Sequence, residues 1–119
     1  MLKKDHKKKN IIITGAKGQD GIILSKLLIK KNYKIIGLVK RPKGKKIKNV
    51  IYKRINLSNL ELVSKTIKSL DPKALIHFGS DNPSFFENKK FKKSLYIKNF
   101  KETKNLIDCF TKFKRGKLI

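Results

Sequence analysis

Hydrophobic positions along this chain fall into two kinds of run. Asn10-Ile11-Ile12-Ile13-Thr14, Lys34-Ile35-Ile36-Gly37-Leu38-Val39 and Ala74-Leu75-Ile76-His77-Phe78 are short, continuous and rich in branched side chains. Such runs, without polar alternation, predict strands buried on both faces. Asn49-Val50-Ile51-Tyr52-Lys53 reads as a further strand. Between them apolar residues return at helical spacing. Ile22, Ile23, Leu24, Leu27, Leu28 and Ile29 predict a helix with a broad apolar face that ends near Lys31-Asn32. Ser58-Asn59-Leu60-Glu61 has the form of a capping box with Ser58 at the N-cap, opening a helix that carries Leu60, Val63, Ile67 and Leu70 until Asp71-Pro72 stops it. A last helix is predicted over 94–113, with Leu95, Phe100, Leu106, Ile107 and Phe110 turned inward.

Strands that alternate with helices of this length imply right-handed crossovers and a parallel sheet covered on both faces. Lys117-Leu118-Ile119 reads as the opening of a fifth strand. The expected fold is therefore α/β, a parallel sheet with helices on both faces, cut off after about four complete strands. Residues 1–8 read as a mobile basic arm and 9–119 as part of a single domain.

Composition narrows the function. The chain has 119 residues, too few to hold a dinucleotide and a second substrate domain together. Its one cysteine, Cys109, excludes an internal disulfide and suits a reducing, cytoplasmic setting. There is no signal-peptide pattern after the basic start, and no run of about 18 apolar residues that would span a membrane.

The formal net charge of +24 invites a nucleic-acid reading. Against it, the 32 basic residues include only three arginines, Arg41, Arg54 and Arg115. The lysines are spread along the whole chain, and the aromatics do not interleave with them as a base-stacking platform requires. A solvated lysine surface, with no specific nucleic-acid partner, is the better reading.

The chemistry sits in the turn Gly15-Ala16-Lys17-Gly18-Gln19-Asp20-Gly21. Three glycines at this spacing carry little by themselves. Here they follow a buried strand and open an amphipathic helix, the context in which such a turn cradles a pyrophosphate. Gly15 permits the tight exit from the strand, Gly18 lets backbone approach a phosphate, and Gly21 lets the helix pack closely on the sheet. This is the phosphate turn of a Rossmann-type, dinucleotide-binding sheet.

The end of the second strand selects between the two nicotinamide dinucleotides: a carboxylate takes the free ribose, a basic residue the 2′-phosphate. This chain has Val39-Lys40-Arg41 there, with no carboxylate between Asp20 and Glu61. Lys40 and Arg41 thus predict NADP, with NAD as the lesser alternative.

These residues resemble the start of the extended short-chain dehydrogenase/reductases, the NAD-dependent epimerases and dehydratases. Gly18-Gln19-Asp20-Gly21, together with Val39-Lys40-Arg41, is similar to the GDP-mannose 4,6-dehydratase branch. The resemblance extends from about Asn10 to Phe110. It implies that Asn56-Leu57 lies beside the adenine where the family has Asp-Leu, and that the segment His77-Phe78-Gly79-Ser80 runs along the cofactor. It also places Asn99 and Thr103-Lys104-Asn105-Leu106-Ile107-Asp108 on a helix where the family has glycine at the position of Glu102.

What the resemblance implies for function is the NADP-binding amino-terminal portion of a nucleotide-sugar dehydratase or epimerase, able to form homo-oligomers if complete. In that family nicotinamide takes a hydride from C4 of the sugar, water leaves across C5–C6, and the hydride returns to C6. The family's Tyr-x-x-x-Lys pair is not found, since the fourth residues after Tyr33, Tyr52 and Tyr96 are Gly37, Asn56 and Phe100. No catalytic residue is therefore assigned, and the chain reads as a fragment inactive alone. A non-catalytic dinucleotide-binding module is the alternative, and a basic nucleic-acid-binding protein the third reading.

His77 has no second metal-ligating residue at suitable spacing and reads as a structural histidine. Cys109 reads as a buried small hydrophobe, and Asp81, Glu87, Ser80 and Ser84 as loop residues without a catalytic partner.

Overall fold

The computed structural model of the chain describes residues 9–40, 46–78, 89–113 and 117–119. Five strands and three helices follow in the order β1 (Asn10–Thr14), α1 (Gln19–Lys30), β2 (Lys34–Val39), β3 (Val50–Arg54), α2 (Leu60–Leu70), β4 (Ala74–His77), α3 (Lys89–Phe113) and β5 (Lys117–Leu118). The strands form one parallel sheet in the order β3-β2-β1-β4-β5. The chain reverses its direction of travel across the sheet between β1 and β4, and that reversal opens a crevice at the carboxyl ends of the strands.

The isoleucine run of β1 explains its central place. Side chains of a strand alternate between faces, so Ile12 packs with Ile36, Leu75, Val63, Ile67, Leu106 and Phe110 under α2 and α3. Ile11 and Ile13 pack on the other side with Ile35, Ala16 and Ile76 under α1. Burying each such side chain contributes about 1.5–3 kcal/mol, and a strand apolar on both faces has no other stable home. The expected Rossmann-type sheet with helices on both faces is the observed one, with the short β5 pairing Ala74 and Leu75 of β4.

Three local expectations differ from the structure. The N-cap of α2 is Asn59, not Ser58: the Asn59 side chain accepts from the Leu62 amide at 3.0 Å. Asn caps as well as Ser does, and here the chain enters the helix one residue later. The last helix begins at Lys89, and on it Phe100 and Ile107 are exposed, at 69% and 43%, rather than inward. Leu106 and Phe110 face inward as expected, and they are joined there by Glu102, Asn105 and Cys109, a stripe at intervals of three and four that admits two polar residues. On α1 likewise, Ile23 and Leu27 face outward, while Gly21 and Ser25 are buried. Among the described residues no helix is long and apolar enough to cross a membrane.

Candidate functional site

The crevice is floored by the residues that leave the carboxyl ends of the strands. Out of β1, Gly15 turns with φ of 65°, the left-handed region that only glycine enters without strain. The Gly18 amide donates to the Gly15 carbonyl at 3.0 Å, closing the turn. Gly18 is then the N-cap of α1, with no side chain capping the helix. The first turn of α1, at Gln19, Asp20 and Gly21, therefore offers amide hydrogens and the positive end of the helix dipole to the crevice. Gln19 and Asp20 are exposed there. Gly21 is buried, and a Cβ on it would lie 2.4 Å from the Gly15 carbonyl oxygen and 2.8 Å from Ala16 Cα. No side chain fits at that contact, so the close packing of helix on turn requires this glycine.

Beyond β2 and β3 a cleft of about 640 Å³ is lined by Lys40, Arg54, Asn56, Leu62, Lys98 and Glu102, with Ile55 and Ser58. Its position past the ends of β2 and β3 is the side of the crevice on which the adenosine half of a dinucleotide lies in such sheets. Lys40, the first residue after β2, places Nζ 2.8 Å from Oε1 of Glu102 on α3. Glu102 is 1% exposed, and neither carboxylate oxygen receives an aligned hydrogen bond, so the contact with Lys40 is one of charge. The guanidinium of Arg54 donates through Nε to the Lys40 carbonyl at 3.2 Å. Asn56 accepts the Ser58 amide on Oδ1 at 3.0 Å, holding the turn that leads into α2. The side chain of Leu57 is buried in the core, and its carbonyl accepts the Asn105 amide at 3.0 Å.

At the switch point, Thr14 ends β1 opposite His77, which ends β4. His77 Nδ1 is hydrogen-bonded to Thr14 Oγ1, and its Nε2 lies 3.0 Å from Thr103 Oγ1 on α3. Burial holds the His77 pKa below its usual 6.5; the Glu102 charge raises it and the Lys40 charge lowers it by lesser amounts. His77 is thus a structural residue, joining two strands and a helix. The Phe78 amide continues the ladder to the Thr14 carbonyl at 3.2 Å, and its ring is partly exposed at the crevice. Burial pushes the Cys109 thiol up, as suits a buried apolar group.

Of the sequence-predicted site residues, Gly15, Gly18, Gln19, Asp20 and Gly21 form the turn, and Lys40 and Asn56 line the neighbouring cleft. Leu57 lies behind the cleft rather than in it. Arg41, Gly79 and Ser80 lie outside the described residues. Glu102 was legible only as a departure from a glycine pattern. Nothing in its spacing shows that α3 brings it to the end of β2.

This geometry agrees with what the chain resembles. Residues 11–119 match the model of the NAD dependent epimerase/dehydratase family. The chain belongs to that family. No curated protein sequence matches it. Among solved structures it is similar to the Bordetella bronchiseptica enzyme WbmH in complex with NAD+, at 23% identity and a TM-score of 0.72, covering 93% of this chain and 38% of that one. It is also similar to UDP-glucose 4-epimerase from Brucella ovis in complex with NAD, at 19% identity and a TM-score of 0.79, covering 92% of this chain and 34% of that one. The UDP-Glc/GlcNAc 4-epimerase of Campylobacter jejuni aligns at 23% identity with a TM-score of 0.79, covering 92% of this chain and 36% of that one. The chain spans little more than a third of these structures.

Proposed function

We propose that this chain is the dinucleotide-binding portion of a nucleotide-sugar epimerase or dehydratase. The observation that carries the reading is the turn between β1 and α1, where Gly21 sits so near Gly15 that no Cβ could stand between them. That packing aims the uncapped start of α1 at the crevice and leaves backbone, rather than side chains, to meet a pyrophosphate. A nicotinamide ring held by such a domain accepts and returns a hydride. The protein's own part is to bind and orient it. Gly15, Gly18, Gln19, Asp20 and Gly21 hold the pyrophosphate end. Asn56, whose Oδ1 is taken by the Ser58 amide, offers its Nδ2 hydrogens to the adenine, with Leu57 behind it. Phe78, just past the end of β4, follows the nicotinamide half.

Of the two cofactors we read NAD(H) in preference to NADP(H). Lys40, the described cation of the Lys40-Arg41 pair that suits a 2′-phosphate, is paired with Glu102, and three structural neighbours are complexes with NAD. Within the family, Gly18-Gln19-Asp20-Gly21 supports a GDP-mannose 4,6-dehydratase, whereas the neighbours named as UDP-glucose 4-epimerases support epimerisation of a UDP-sugar. Calorimetric titration of the chain with NADH and NADPH tests the core of the reading, with NADH expected to bind more tightly. Binding of neither, by a chain whose circular dichroism shows it folded, would overturn it.

A further inference from the structure

We propose that Glu102, delivered from α3, accepts the hydroxyls of the adenosine ribose and is the residue that keeps a 2′-phosphate out of the cleft. The proposal rests on the dinucleotide reading of the crevice and assigns a role to a side chain where the family resemblance places glycine.

A dinucleotide whose pyrophosphate lies at the start of α1 extends its adenosine past the end of β2, into the cleft that Lys40, Asn56 and Glu102 line. The cleft, at about 640 Å³, has room for it. A ribose there needs a carboxylate acceptor, which in such sheets comes from the end of the second strand. In this chain that position is Lys40, and no carboxylate occurs between Asp20 and Glu61. Glu102 supplies the missing group from a different element. It is 1% exposed, it lines the cleft, and its oxygens lack hydrogen-bond donors, although its charge is met by Lys40 at 2.8 Å. A buried carboxylate short of donors gains from two hydroxyls.

The same position works against a phosphate. A 2′-phosphate brings close to two negative charges beside Glu102, and the lysine that would offset them is already neutralised by the pair. Lys40 in this arrangement orients Glu102 toward the ribose rather than receiving phosphate.

The test deletes the contact from both sides. The whole chain, wild type and Glu102→Ala, is titrated with NAD and with its 2′-deoxy- and 3′-deoxyadenosine analogues. On the wild type at least one analogue is expected to bind about tenfold more weakly than NAD, and on Glu102→Ala that penalty is expected to vanish. Glu102→Gln keeps the shape and removes the charge, so the ratio of NADPH to NADH affinity is expected to rise by about tenfold. Analogues that bind the wild type as NAD does, a penalty that survives Glu102→Ala, or an unchanged ratio in Glu102→Gln would each overturn the proposal. A merely structural Glu102 would weaken all ligands alike. If the wild type binds no dinucleotide, it is the reading of the crevice that fails.

Discussion

The side-chain amide of Asn105 donates to the backbone carbonyl of Leu57 at 3.0 Å, fastening α3 to the turn that follows β3. Both residues are buried, so water cannot replace the bond. Asn105→Ala is expected to cost about 1–3 kcal/mol, the penalty of a buried acceptor left unpaired. Because Asn56 sits on the same turn, dinucleotide affinity should fall as well. Urea unfolding and calorimetric titration of the one variant check both, and an unchanged midpoint would remove the bond from this account.

Gly21→Ala drives a methyl into the carbonyl of Gly15, and the turn or the helix must give way. Overpacking of this kind costs about 1–3 kcal/mol. The displaced backbone is the one proposed to hold the pyrophosphate, so the loss of affinity for NADH should exceed what the loss of stability explains. Stability measured by urea, beside titration at a temperature where the variant is fully folded, separates the two.

His77 makes stability depend on pH in a defined direction. Its folded-state pKa lies below the usual 6.5, chiefly through burial. The unfolded chain therefore takes up the proton first, and the contribution is complete above the unfolded value and lost as pH falls through the folded one. Glu102, Lys40, Thr14 and Thr103 are the groups that face or touch the ring. His77→Gln removes the titration. The stability difference between wild type and variant should shrink as the pH is lowered from 7.5 toward 5.5; a constant difference would contradict the assignment.

Removing Lys40 strands the carboxylate of Glu102. Lys40→Met should destabilise by about 1–3 kcal/mol, below the full cost of breaking a buried pair because the lysine retains some exposure. Adding Glu102→Gln to that variant should recover much of the loss, since no buried charge then lacks a partner. A double-mutant cycle read by thermal unfolding measures the coupling, and strict additivity would show that the two do not interact.

How much of this was legible in the sequence differs by feature. The isoleucine run of β1 and the glycines after it fixed the central strand and the phosphate turn, because both rest on local geometry. A strand apolar on both faces must be covered twice, and a helix that starts on glycine has no side-chain cap. Helix faces were harder to read. Phe100 and Ile107 are apolar yet turn outward, while Glu102 and Asn105 turn inward, because Lys40 and the Leu57 carbonyl receive them. Those partners lie on other elements, far off in sequence, and no periodicity in α3 reveals them. The N-cap shifted from Ser58 to Asn59 for a smaller reason: two residues that can both cap stood side by side.

Thr14 and His77 have one further effect. They fasten the sheet along its midline at the place where the crossovers part to opposite sides, and Thr103 bolts a helix to the same point. The molecule is thus sewn like a book along its spine. Amide hydrogens of Ile12 and Ile76 should be among the slowest to exchange with deuterium, and those of β3 at the sheet's margin among the faster.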